Sequence, residues 1–299
     1  MGKIVSFRPI VQWPAIVRAV VFLVGVVLLW LPIALPFYWL SARGRLPGGD
    51  LIPTALLYLF FLALLPRWER YVHRIRRPWK YIGLTGRFSV FFPLVQGLGI
   101  GLASIGTLAA IQMGLGWAEA VPSDRGWLGL VAAGSLTALA VGWAEELLFR
   151  GWLLRELEQG WSAFAALVMT SLIFAVAHFI KPLEVILATL PQFLGLLLLG
   201  FVLGWARRIT VVDSNGQVTT SLGFPIGLHS GLVWGYYILN VGEILRPTST
   251  VPEWVTGLDG NPLAGLLGLV LLMGLGAWFY RWSRTNERDA TPPEVHGLR

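Results

Sequence analysis

The chain alternates long apolar runs with short charged loops, and that pattern restricts it to a bilayer. Runs lie near 15–41, 51–65, 89–113, 127–154, 161–180, 184–206, 222–242 and 263–282. About 20 mostly apolar residues are enough for one helix to cross the hydrocarbon core. Inside lipid every backbone N–H and C=O must be satisfied within the protein, which leaves helices as the default solution for such runs. The expected fold is therefore all-α, a polytopic membrane bundle of about eight transmembrane helices. The run at 51–65 is the shortest, and the first starts too late and runs too long for a cleaved signal peptide.

Composition agrees. Only 13% of residues are charged, against about 25% in a soluble domain. The 35 glycines and 15 tryptophans suit close helix packing and interfacial anchoring. The absence of cysteine excludes disulfides, thiolate metal sites and a cysteine nucleophile. A net charge of +7 does not signal nucleic acid, because the basic residues sit in short loops beside apolar runs and no basic, aromatic-rich soluble domain accompanies them. The expected environment is the lipid bilayer.

Loop charges set an expected topology. Arg67, Arg70, Arg74, Arg76, Arg77, Lys80 and Arg87 face only Glu69 between the second and third runs, which puts that loop in the cytoplasm. The loops near Arg155 and near Arg207 and Arg208 follow, as does the tail with Arg281, Arg284 and Arg288. Glu119, Asp124, Glu184, Glu243, Glu253 and Asp259 fall on the opposite side, with Lys181 among them. Both termini are then cytoplasmic, and the protein is multi-pass in a bacterial plasma membrane or an equivalent internal membrane. Arg43 and Arg45 are the one misfit. The chain divides into N-terminal helices with a basic loop (1–124), a core (125–245), a last helix (246–284) and a polar, disordered tail (285–299). The pairs Gly97/Gly101 and Gly200/Gly204 fit small-xxx-small packing. Asp213-Ser214-Asn215-Gly216 reads as a turn or hairpin.

The fourth run contains Trp143-Ala144-Glu145-Glu146-Leu147-Leu148-Phe149-Arg150. An ionised side chain at a membrane helix centre costs about 2.5–3.5 kcal/mol on insertion scales, so three of them require a purpose. Glu146 and Arg150 stand four apart on one face and form a structural ion pair. Glu145 points about 100° away, with Phe149 as its four-residue neighbour, and must find its partner on another helix. His178 and His229 are the partners available in apolar runs; His73 and His296 lie in the basic loop and the tail. Glu145, His178 and His229 could converge to hold and deprotonate a water, with or without zinc or another divalent metal; two histidines and a glutamate form an accepted zinc shell. Buried carboxylates also serve as proton relays, so a proton-coupled transporter is the rival reading.

Glu145-Glu146-x-x-x-Arg150, then Phe174-x-x-x-His178, then His229, in order and on separate helices, resemble the CPBP family. These are the CAAX prenyl endopeptidases and bacteriocin-processing proteins, also called Abi. The resemblance covers roughly 125–245. It implies an intramembrane endopeptidase, of glutamate type or a metalloenzyme, acting on a peptide or membrane-protein substrate. Glu145 would be the base, His178 would help hold the water, and His229 would stabilise the oxyanion or ligate a metal. Glu146 and Arg150 would order the helix, with Phe174 as a wall of the site. The chain departs from the family where the third motif reads His-x-x-x-Asn: Val233 stands four residues after His229, and Asn240 lies about 16 Å farther along the helix. That loss keeps a catalytically weak scaffold in view.

Overall fold

The computed structural model describes residues 8–46, 51–124, 126–213 and 215–290. The main helices are α1 (Ala15–Ala42), α2 (Leu51–Tyr71), α3 (Arg87–Gly114) and α4 (Trp127–Glu146). A π-helical stretch (Leu147–Leu153) continues α4 into α5 (Leu154–Glu158). Then come α6 (Ala163–Ala177), α7 (Leu183–Thr189), α8 (Gln192–Arg207), α9 (Gly223–Val241) and α10 (Leu266–Ala290). The protein is an all-α membrane bundle, multi-pass and integral.

Every apolar run coincides with helix, but the count of eight crossings is corrected. Among the described residues five helices are long and apolar enough to span, or six if α7 and α8 form one broken span. That pair bends by 74° around Pro191, whose ring removes a backbone donor, although Leu190 and Pro191 both keep right-handed helical dihedrals. Helix α6 has 15 residues, about 22 Å at 1.5 Å per residue, and is too short to cross alone. Helix α9 is enclosed by protein along its first half, where Gly223 to Gly231 are all buried. An enclosed helix can carry a histidine whose polar atoms find protein partners, as His229 does with Glu146. By contrast α1 exposes Val20, Val24, Leu28, Leu31 and Leu35, an apolar face of the kind that meets acyl chains.

Helix α9 packs most extensively on α3 and next on α4, while α8 packs on α6 and α10. Glycine makes the first contact possible. A methyl group on Gly97 of α3 would lie 2.7 Å from the Leu228 backbone nitrogen, and Gly101 stands in the same relation to Leu232. From the opposite side Gly223, Gly227 and Gly231 meet the α3 backbone at Val90, Leu94 and Leu98. The four-residue spacing Gly223, Gly227, Gly231, Gly235 is the signal that sequence inspection passed over. Gly200 and Gly204 meet Ser171 and Leu167 of α6. Backbones this close contribute dispersion contacts that bulkier residues would forfeit.

Two small antiparallel sheets cap the bundle. Strands β2 (Thr210–Val212) and β3 (Val218–Thr220) form the hairpin at Asp213, and Asp213 Oδ1 accepts the Asn215 and Gln217 amides at 2.9 and 3.0 Å. Ser214 lies outside the described residues. Strands β1 (Ala118–Ala120) and β4 (Leu245–Pro247) pair across distant loops, which sequence periodicity over three residues could not announce. Helix α10 runs on past Thr285 to Ala290, where a polar tail was expected; 291–299, with Pro292-Pro293, lie outside the described residues.

Candidate active site

The site is built around the point where α4 changes pitch. Backbone bonding loosens from i→i−4 to i→i−5 immediately after Glu146, a rare geometry that recurs at functional sites. A π-turn leaves carbonyls displaced from the regular ladder. Here the Arg150 carbonyl accepts Arg207 Nε at 3.3 Å, and Arg207 Nη2 reaches the Ile82 carbonyl at 3.2 Å. Arg207 was expected in a cytoplasmic loop; it is buried, and its guanidinium fork braces the π-turn from α8.

Glu146 is fully buried and its Oε1 is shared. Arg150 Nη1 donates to it at 2.8 Å and His229 Nδ1 lies 2.8 Å away. The second guanidinium nitrogen donates to the Gly200 carbonyl at 3.3 Å. The guanidinium plane also lies 4.2 Å above the Phe174 ring centre, a cation–π contact. Phe174 is wholly buried, with His178 4.7 Å away and His229 6.1 Å away between ring centres. It packs between the Arg150 guanidinium and the His178 ring, while His229 touches the ion pair directly.

These partners dictate the histidine tautomers. A carboxylate already paired with arginine can only accept, so the proton of neutral His229 sits on Nδ1 and Nε2 carries the lone pair. His178, at the end of α6, lies with Nδ1 2.7 Å from the Phe174 carbonyl. A carbonyl also only accepts, and Nε2 of His178 is bare for the same reason. Both bare nitrogens face one atom: Glu145 Oε2 lies 3.8 Å from His178 Nε2 and 4.0 Å from His229 Nε2. That oxygen is buried and has no hydrogen-bond partner. The Glu145 side chain as a whole is 28% exposed, so it is partly open rather than sealed in the core. His178 enters from the C-terminal end of α6, which stops at Ala177, and Leu183–Thr189 is a separate short helix.

Residues 127–235, from the start of α4 into the middle of α9, match the family model described as type II CAAX prenyl endopeptidase Rce1-like. This match supports the CPBP/CAAX protease family for the segment it covers. No curated protein and no solved structure matches it. The CAAX protease match ends two residues past Val233, so it spans the helix face where the family's asparagine is replaced. Asn240 does not approach the site: it lines a cavity of about 670 Å³ with Glu243, Arg246 and Glu253. A smaller cavity of about 120 Å³ lies against His229 and Val233, and Asn261 contributes to its wall. Asn261 Oδ1 accepts the Leu263 amide at 3.0 Å, which leaves its amide nitrogen as the donor not used by that bond. Ile105, Leu108, Tyr236 and Pro262 line both cavities, so the two adjoin.

A metal at Glu145, His178 and His229 would find suitable donor atoms, but their spacing is wide. Two ligands each about 2.0–2.1 Å from zinc at a tetrahedral angle are about 3.3 Å apart. Among the described residues, the set whose ligand atoms all lie within 4.8 Å of one another is Glu69, His73 and Glu156, not this trio. Sequence reading took Glu69 and His73 as loop residues. Glu69 lies in the last turn of α2 and His73 in the bend just past its end, so helical spacing does not relate them.

Proposed function

We propose that this chain is an intramembrane endopeptidase of the CAAX protease family and of the glutamate type, cleaving a peptide or membrane-protein tail with an activated water. The observation that carries the reading is the convergence of two lone-pair nitrogens and one carboxylate oxygen. Three acceptors facing one another need a donor between them, and a water molecule supplies two O–H groups. Spacings of 3.8 and 4.0 Å are too long for direct hydrogen bonds and leave room for an atom displaced to one side.

Glu145 takes the water's proton as its oxygen attacks the scissile carbonyl, and then returns that proton to the leaving amine. His178 orients the water through Nε2. His229 takes a proton from bulk water onto Nε2 before attack and donates from it to the developing oxyanion, while Glu146 holds the imidazolium through Nδ1–H. It returns that proton to bulk water when product leaves. Asn261 stands in the cavity bounded by Val233 and offers an amide donor from a different segment. The substrate reaches His229 from the larger cavity, on the side of the loops bearing Glu119, Glu243 and Glu253. If charge sets topology as the basic loop implies, that side is opposite the cytoplasm and the termini are cytoplasmic.

The test uses the full chain in liposomes with a panel of lipidated and unlipidated peptides, products read by mass spectrometry in H₂¹⁸O. Cleavage is expected with ¹⁸O in the new carboxylate, and a fall of about 10²–10⁴-fold in Glu145→Gln, the usual worth of a general base. Undiminished cleavage by Glu145→Gln sinks the mechanism. Because Val233 replaces the family's asparagine, a scaffold that binds membrane proteins without cutting them is the second reading. A biological effect that survives intact in Glu145→Gln would favour it.

A further inference from the structure

The cluster around Glu156 is separate from the site just described. Glu156 lies on α5, in the family-matched segment, whereas its partners come from N-terminal helices outside that segment. Arg18 Nε of α1 donates to Glu156 Oε1 at 2.6 Å. His73 Nε2 lies 2.7 Å from Glu156 Oε2, and Trp68 Nε1 donates to the same oxygen at 3.3 Å. Glu69, at the end of α2, brings a second carboxylate so that one ligand atom from each of Glu69, His73 and Glu156 lies within 4.8 Å of the others. Glu69 and Glu156 are each 1% exposed, and the His73 side chain is 4% exposed.

Two features ask for a cation. Glu69 Oε2 is buried with no hydrogen-bond partner, a costly state for a carboxylate oxygen. With both carboxylates ionised, as ligation of a metal requires, they outnumber the one arginine facing them by one negative charge. A proton on His73 would supply the charge but would still leave Glu69 Oε2 unpartnered. An ion gathers all three ligands at once. The backbone prepares the arrangement: Arg74 takes φ 59°, and the Ile75 amide bonds the Glu69 carbonyl at 2.9 Å. This left-handed cap ends α2 and turns His73 back beside Glu69.

We propose that Glu69, His73 and Glu156 form a binding site for one divalent transition-metal ion, zinc by ligand type, which ties α1 and α2 to the family-matched core. One imidazole and two carboxylates leave a fourth tetrahedral position for water. Arg18 on the far oxygen of Glu156 acts as the outer partner that orients a ligating carboxylate. Binding requires His73 Nε2 and Glu156 Oε2 to part from 2.7 Å to about 3.3 Å, a side-chain adjustment.

The experiment is equilibrium dialysis of the full chain, purified in detergent without a histidine tag, against Zn²⁺ alone. The expected result is one Zn²⁺ per chain, with affinity at least about tenfold weaker in Glu69→Gln and in His73→Gln, the usual range for an altered ligand shell. Glu145→Gln should bind as wild type does. Co²⁺ loaded into the wild-type chain should give the visible absorption of a tetrahedral N/O site, a readout that depends on no variant folding. No saturable Zn²⁺ uptake, or uptake lost in Glu145→Gln and kept in Glu69→Gln, overturns the proposal.

Discussion

Replacing Glu146 and Arg150 singly and together measures what the buried pair does for the fold. Their 2.8 Å contact corresponds to about 6 kcal/mol of attraction at an effective dielectric of 20, before desolvation is subtracted. Removing one partner strands the other. Arg150 is 2% exposed, and without Glu146 its charge keeps the Gly200 carbonyl and the Phe174 face but no bonded counter-ion, only the more distant Glu145. Breaking such a pair costs about 3–5 kcal/mol. Glu146→Ala and Arg150→Ala should therefore each lose about that much stability. The double variant should lose far less than their sum, giving a coupling energy of at least about 2 kcal/mol. The assay is denaturant titration in mixed micelles, following tryptophan fluorescence. Additivity within about 0.5 kcal/mol would refute the reasoning, because it would mean the two charges are solvated independently. Glu145, one residue away, should behave in the opposite manner: it has no direct hydrogen bond at Oε2, so Glu145→Gln should change stability little while activity falls.

Gly227→Ala should destabilise by about 1–3 kcal/mol, since its new methyl meets the Leu94 carbonyl and lies 2.8 Å from the Leu98 nitrogen. Gly99→Ala, with nothing within 4 Å, should be neutral or stabilising, and equal effects at the two positions in the same titration would count against the packing argument. If Asn261 supplies the missing donor, Asn261→Ala should lower peptide cleavage by about 10²–10³-fold, and adding Val233→Asn should recover part of it. No recovery, with wild-type cleavage intact as control, would assign the donor elsewhere. Lys80 Nζ, 2.9 Å away, and two backbone amides hold the Asp213 carboxyl below the usual carboxylate range. Its contribution is present above the unfolded value of about 3.9 and is lost as pH falls through the lower folded value. The thermal midpoint of Asp213→Asn should lack that acid limb, and a pH profile parallel to wild type would contradict it.

Much of this protein is legible from residue order alone, for reasons local to each segment. Hydrocarbon admits only apolar, internally bonded helices, so the runs at 15–41 and 89–113 announce α1 and α3 without reference to anything else. The Glu146–Arg150 pair follows from four-residue spacing, and the order of Glu145, Glu146, Arg150, Phe174, His178 and His229 points to the family. The number of crossings does not follow, because an apolar run looks the same whether lipid or protein surrounds it. Helix α9 is enclosed by neighbours, and α7 and α8 are parted by a bend.

The remaining decisions belong to tertiary structure. Which nitrogen of each histidine is bare depends on what the other nitrogen meets, the Glu146 carboxylate for His229 and the Phe174 carbonyl for His178. Asn261 reaches the cavity beside Val233 from a loop 28 residues on in the chain. Glu69, His73 and Glu156 come together only because α1 and α2 dock on α5. Helical periodicity reports a residue's neighbours within its own element; contacts between elements are set by how their faces pack, and that information is spread over the whole chain.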